Sequence, residues 1–173
     1  MSLNYEDSGA LFAIIKNESK SIKDKKLYVS DNDKNVKKGF SYYTCNDNET
    51  LQLTPNTKTE RQCIYICGQS GSGKSYFTTN YVKQYKKAYP KNDIFVISSI
   101  DEDKSIDSLK PKRINVLHED FLNDEFTSED FKDSLVIFDD VDVFPTKIKK
   151  KVMTIVNNIL QIAFQCKCMF YHA

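Results

Sequence analysis

A glycine-rich segment at residues 68–75 holds the residues best suited to chemistry. It reads GQSGSGKS, so Gly68 is followed by four residues and then by Gly73, Lys74 and Ser75. This spacing matches the phosphate-binding pattern G-x-x-x-x-G-K-[ST]. Glycines allow a backbone to wrap closely around phosphate, where a Cβ would obstruct it. The segment therefore predicts a nucleotide-binding loop.

Each residue type in this loop has an expected task. Loop amides and the N-terminus of the following helix are expected to bind the β-phosphate. Lys74 is expected to bridge the β- and γ-phosphates, as a catalytic residue, and the Ser75 hydroxyl to ligate Mg²⁺. The predicted nucleotide-binding residues are Gly68, Gln69, Ser70, Gly71, Ser72, Gly73, Lys74, Ser75 and Tyr76. The expected ligands are ATP and Mg²⁺.

Two acidic residues follow a later apolar run, LVIF at 135–138. Asp139 is predicted to hold Mg²⁺ through water, in the position of a strand-end metal-binding acid. The ordinary alternative is an acid that begins a turn. Asp140 is predicted to accept a proton from the attacking water, or to orient it, as the catalytic base. Asp142 competes for that role, although we expect it to face solvent or to cap the next helix.

Two weaker candidates lie near the end of the chain. His172 follows the last apolar run, where a polar sensor of the γ-phosphate would lie, although chain termini often fray. A lysine run on the last predicted helix offers contacts to DNA phosphates, although such runs are more often a solvated helix face. Its members are Lys147, Lys149, Lys150 and Lys151.

Apolar periodicity divides the chain into two regions, 1–60 and 61–173. Short apolar runs separated by turns rich in Asp and Asn predict a small β-rich segment over 1–60. Beyond residue 61, strands alternate with helices, which predicts an α/β region with a mostly parallel sheet. The predicted strands are 63–67, 94–97, 114–117, 135–138 and 168–171, and the predicted helices are 74–88 and 146–165. We expect strand 63–67 to be buried at the centre of the sheet.

Composition limits the classes of function. The formal net charge of +1 provides no global field that would drive the chain onto nucleic acid or membranes. No apolar run reaches the ~18 residues of a membrane span, and the first residues do not resemble a signal peptide. We therefore expect a soluble intracellular protein. The cysteine pairs 63/67 and 166/168 are expected to be reduced and structural, since the CxxC spacing of zinc knuckles is absent.

Two other phosphate-handling classes fit the sequence poorly. A GTPase switch requires D-x-x-G and usually N-K-x-D, and neither follows Asp139. A small-molecule kinase grips the transferred phosphoryl group with several arginines. Arg61 and Arg113 are the only arginines in the chain, which makes a kinase the less favoured alternative.

Three segments together resemble a known family. They are ICGQSGSGKSYFTTNYVKQY, IFVISSIDEDKSID and DSLVIFDDVD. They are similar to the DNA-packaging ATPases of poxviruses and giant DNA viruses, in the FtsK–HerA superfamily, over about residues 50–173. The resemblance implies a P-loop NTPase three-layer fold of the additional-strand, RecA-like type. In this family residues 68–75 would form Walker A and Asp139-Asp140 Walker B.

The resemblance also implies an activity. It predicts ATP hydrolysis coupled to movement of double-stranded DNA by a ring of identical subunits, in the host cytoplasm or the virion. Such motors continue past the sensor strand and supply an arginine finger, whereas this sequence ends at Ala173. Part of the core at its C-terminal side is therefore expected to be missing, which would make the chain a fragment, a degenerate paralogue or one partner of a split enzyme. The alternative is a nucleotide-binding interaction module with little hydrolysis of its own.

Overall fold

The computed structural model describes residues 2–5, 9–19, 21–30, 46–57, 62–162 and 167–171. The chain divides into two units, Met1–Lys58 and Thr59–Ala173. Each unit has its own sheet, and the residues of the predicted nucleotide site belong to the second unit.

The first unit is a four-stranded antiparallel sheet. Its strands are β1 (Ser2–Asn4), β2 (Ala10–Asn17), β3 (Lys25–Ser30) and β4 (Glu49–Leu53), in the order β1-β3-β2-β4. The central strand β2 buries Ala13 and Ile15 because alternate side chains of a strand share one face. None of the catalytic residues predicted from sequence lies here.

The second unit contains a parallel sheet of five strands. The strands are β5 (Cys63–Ile66), β6 (Ile94–Ser98), β7 (Lys112–Asn115), β8 (Leu135–Asp139) and β9 (Lys167–Tyr171), in the order β5-β9-β8-β6-β7. Its helices are α1 (Lys74–Ala88), α2 (Lys104–Asp107) and α3 (Thr146–Ile162). Single 3-10 turns lie at Glu119–Leu122, Glu129–Phe131 and Val141–Val143. Every residue of β8 is buried, as expected of an inner parallel strand.

Helix α3 covers one face of this sheet. Pro145 precedes the helix and its carbonyl accepts the Lys149 N–H at 2.8 Å, which opens the first turn. The apolar stripe of α3 packs into one cluster with β6 and β8. The cluster includes Ile97, Val136, Phe138, Val152, Ile155, Val156 and Ile159.

The predicted three-layer, RecA-like P-loop NTPase fold was wrong. The strands are divided between an antiparallel sheet in one unit and a small parallel sheet in the other. A three-layer fold requires helices stacked on both faces of one central sheet. The described strands do not form one such central sheet, because four of them belong to the antiparallel sheet of the first unit. Periodicity identified the separate elements but not the layers that they would form.

The expected burial of residues 63–67 was also wrong. Strand β5 lies at an edge of the sheet, and Cys63, Tyr65 and Cys67 are exposed. An edge strand has a neighbour on one side only, so its side chains are covered less than those of an inner strand. The two cysteines are therefore accessible thiols, and Cys166 lies outside the described residues.

No helix in the described part of the chain is long and apolar enough to cross a membrane.

Candidate functional site

The glycine-rich loop connects β5 to α1. Gly71 and Gly73 have φ values of 79° and 89°, in the left-handed region that glycine adopts without steric cost. Gly73 is also the N-cap of α1. A Cβ on Gly68 would lie 2.6 Å from the Ser72 Oγ, so the loop is too tightly folded there for a larger residue without movement of that hydroxyl. Backbone conformation therefore favours glycine at positions 71 and 73, and a larger residue at position 68 would displace the Ser72 hydroxyl.

Lys74 folds back over this loop. Its Nζ donates hydrogen bonds to the Gly68 carbonyl at 2.8 Å and to the Gln69 carbonyl at 3.0 Å. Lys74 is only 8% exposed, although lysine is usually a surface residue. The Ser72 N–H donates to the Gln69 carbonyl at 3.1 Å and closes the turn. The Lys74 ammonium is therefore held on the loop. Oxygens of a bound phosphate would replace the two carbonyl oxygens as acceptors of its hydrogen bonds.

The first turn of α1 carries the last predicted site residues. Ser75 is half-buried, and Tyr76 is 74% exposed. Helix α1 has 15 residues, and the N-terminus of a helix is electrostatically favourable for an anion. Gln69, Ser70 and Ser72 are exposed on the loop itself.

Asp139 ends β8 and is 2% exposed. Its Oδ2 accepts a hydrogen bond from the Ser98 Oγ at 3.0 Å, and its Oδ1 is buried with no partner in the described part of the chain. Burial, followed by the charge of Asp140, raises the pKa of Asp139 to about 6, while the Ser98 hydrogen bond acts in the opposite direction. An unsatisfied, desolvated carboxylate oxygen is well suited to binding a cation.

Asp140 has an unusual backbone conformation. Its φ and ψ are 51° and 40°, a left-handed conformation that Asp tolerates better than most residues. Its Oδ1 is also buried without a hydrogen-bond partner among the described residues. Strain and an unsatisfied polar atom at adjacent acids are features that often mark functional sites.

The strand register brings the loop and the acids to the same end of the sheet, where its parallel strands have their carboxyl termini. Ile66, just before the loop, pairs with Tyr171 of β9, and Asp139 pairs with the same Tyr171. Two interstrand spacings therefore separate the Cα atoms of Ile66 and Asp139, roughly 10 Å. Parallel α/β sheets bind their ligands at this carboxyl-terminal end of the strands. Sequence positions more than 60 residues apart thus meet at one site.

Two residues near the acids were not predicted from sequence. Ser98 ends β6 and binds Asp139, as described above. The Arg113 guanidinium donates to the Asp107 Oδ1 through Nη2 at 2.7 Å and Nε at 3.0 Å, and to the Ile100 carbonyl through Nη1 at 3.2 Å. The sequence signal for Ser98 was a polar residue at the end of an apolar strand, which is too common to single out.

The acidic pair fits Mg²⁺ only together with a phosphate. The described residues contain no cluster of three or more His, Cys, Asp or Glu side chains that could hold a metal by itself. Mg²⁺ is usually bound by one or two carboxylates, water and substrate phosphates rather than by an all-protein cage. The free Oδ1 of Asp139 and the Ser75 hydroxyl suit that mode.

Other predicted contacts are used inside the chain. Asp142 is exposed and its Oδ1 accepts from the Lys149 Nζ at 2.7 Å, so it faces outward near α3. The Lys151 Nζ donates to the carbonyls of Leu122 and Asp124 and lies over two phenylalanine rings. A DNA contact by the lysine run therefore rests on Lys147 and Lys150. His172 and Arg61 lie outside the described residues.

The chain is similar to a viral protein. It is 41% identical over 102 residues to "Uncharacterized protein V3" of Sputnik virophage, a match that covers 58% of this chain. The chain spans 41% of the length of that relative. No protein family model and no solved structure matches the chain. The comparisons therefore indicate a viral relative and leave the activity to be argued from the site.

Proposed function

We propose that the chain binds ATP with Mg²⁺ and hydrolyses it, and that hydrolysis is coupled to movement of double-stranded DNA. One observation carries the first part. A tightly folded glycine loop with a buried lysine lies at the same end of the sheet as two adjacent acids, each with an unsatisfied carboxylate oxygen. The loop suits phosphate and the acids suit a cation and a water molecule.

Each residue has one task in this proposal. The amides of residues 68–76 and the Lys74 ammonium hold the phosphates, and the Ser75 hydroxyl and the Asp139 carboxylate hold the metal. Bound Mg²⁺ supplies positive charge to the phosphate oxygens. Asp140 accepts a proton as water attacks the γ-phosphorus. The bond between that phosphorus and the bridging β-phosphate oxygen breaks, and ADP and inorganic phosphate are released.

Coupling to DNA is supported by similarity rather than by geometry. The three segments that resemble viral DNA-packaging ATPases include the loop and both acids, and the relative at 41% identity comes from a virophage. We therefore place the chain in a ring of identical subunits, in the host cytoplasm or the virion. Lys147 and Lys150 are the candidate DNA contacts.

Steady-state ATP hydrolysis with and without double-stranded DNA tests this function. Lys74→Ala should lower turnover about 10²–10³-fold, because it removes a charge that stabilises the transition state. Asp140→Asn should lower turnover about 10²–10⁴-fold and leave ATP binding intact, because it removes only the base. Lys83→Ala, an exposed lysine on α1, is the matched control and should behave as the wild type. Equal turnover in Lys74→Ala and the control would refute the proposal.

A nucleotide-gated interaction module is the second candidate, and one observation favours it. The Arg113 guanidinium is bound to Asp107 and to the Ile100 carbonyl, so among the described residues no arginine is free to reach a neighbouring subunit's nucleotide. An arginine finger is worth about 10³–10⁵ in rate. Tight ATP binding without turnover, even with DNA, would support the module over the motor.

A further inference from the structure

Ser98 makes two hydrogen bonds of opposite direction at the end of β6. Its Oγ accepts the Ile100 N–H at 3.2 Å and donates to the Asp139 Oδ2 at 3.0 Å. A serine hydroxyl has one proton, and here that proton is directed to the carboxylate. The residue is 1% exposed, so bulk water does not compete for the bond. Oδ2 is thereby fixed, and Oδ1 remains as the unoccupied oxygen.

Ile100 is held through both of its backbone polar groups. Its N–H donates to the Ser98 Oγ, and its carbonyl accepts from the Arg113 Nη1 at 3.2 Å. Arg113 in turn binds Asp107, whose Oδ2 accepts the Asp103 N–H at 2.6 Å. The segment 99–107 is thus connected to Asp139 through one hydroxyl group.

We propose that Ser98 is a positioning residue that orients the Asp139 carboxylate toward the metal ion. This inference rests on the proposed function, since it assigns the metal to Asp139. Removing the hydroxyl leaves Oδ2 buried without its donor and lets the carboxylate rotate. Partners that hold a metal ligand in place typically contribute 10–100-fold to metal affinity.

Binding of Mn²⁺ in the presence of ADP, followed by the electron paramagnetic resonance signal of free Mn²⁺, tests the inference without turnover. Ser98→Ala should weaken Mn²⁺ binding about 10–100-fold and leave metal-free ADP binding unchanged. Ser98→Thr keeps the hydroxyl and should restore most of the affinity. Ser98→Cys, close in size but a weak donor, should behave like the alanine variant.

Ser134→Ala is the matched control. Ser134 is a buried serine whose Oγ donates to the Phe131 carbonyl, next to the opposite end of β8 from Asp139. Its substitution should cost a buried hydrogen bond and leave Mn²⁺ binding unchanged. Equal weakening by Ser134→Ala and Ser98→Ala would reduce Ser98 to a general stability role and overturn the inference.

Two outcomes distinguish the positioning role of Ser98 from the proposed function. Wild-type Mn²⁺ affinity in Ser98→Ala would overturn the positioning role and leave the proposed function standing. A wild-type chain that binds neither ADP nor Mn²⁺ with ADP would overturn both.

Discussion

Asp139 combines burial with a charge that nothing in the described residues neutralises directly. Its pKa is raised to about 6, mainly by burial and then by the charge of Asp140. Within the described residues, one of its carboxylate oxygens has no hydrogen-bond partner. In the metal-free chain this acid therefore opposes folding once it ionises. A buried acid with a perturbed pKa is a candidate for a functional role rather than a source of stability.

This burial predicts a pH dependence of the free energy of unfolding. The folded state binds the Asp139 proton more tightly than the unfolded state does. The stability that this proton contributes is therefore fully present below about pH 4 and is lost as pH rises through about 6. Asp139→Asn keeps an acceptor for Ser98 and removes the ionisation. Between pH 4 and pH 7.5 the variant should gain up to about 3 kcal/mol relative to the wild type.

Urea unfolding in EDTA across that pH range measures the difference. Asp124→Asn removes a carboxylate at an exposed position and serves as the control. A constant difference between Asp139→Asn and the wild type at all pH values would contradict the account.

Residue types were readable from sequence only where spacing was specific. The run from Gly68 to Ser75 and the strand-end Asp139 could be singled out because both follow apolar runs. Their roles stay predictions. Ser98 could not be found, since its importance depends on a neighbouring strand that lies 41 residues away in sequence.

At the scale of elements, α3 supplies the helical side of the core cluster. Val152 and Ile159 are fully buried on the stripe that packs against the sheet, whereas Met153 is 41% exposed. Ile159→Ala should lower the free energy of unfolding by about 2–5 kcal/mol, because it leaves a cavity in a packed core. Met153→Ala on the same helix should change it by no more than about 0.5 kcal/mol. Thermal or urea unfolding distinguishes them, and similar losses in both variants would argue against this packing.

The bounds of the helices and strands were largely predictable from sequence, but the order of the strands in the sheet was not. The predicted helix 74–88 is confirmed as α1, and β6, β8 and β9 lie within one residue of the predicted strands. The predicted helix 146–165 matches α3, whose last described residue is Ile162. β5 was correctly predicted as a strand but wrongly as a central one, because an apolar run does not specify which strands pair beside it.

At the scale of the whole molecule, the chain consists of an antiparallel unit and a parallel α/β unit that carries the whole candidate site. The arrangement of the elements in layers could not be derived correctly from sequence, because it depends on which faces of a sheet the helices cover. The convergence of the loop and the acids could be predicted without knowing the layers. It requires only that the parallel strands end at the same end of the sheet and that each is followed by a polar residue.

Equilibrium dialysis of labelled ATP with Mg²⁺ tests the central claim, that the 68–75 loop binds nucleotide through its phosphates. Inorganic triphosphate should displace ATP from the wild-type chain, and adenosine should not. Lys74→Ala should bind at least about 10-fold more weakly, because a charge-assisted hydrogen bond contributes about 1.5–3 kcal/mol. Displacement by adenosine rather than triphosphate, or unchanged affinity in Lys74→Ala, would contradict the account.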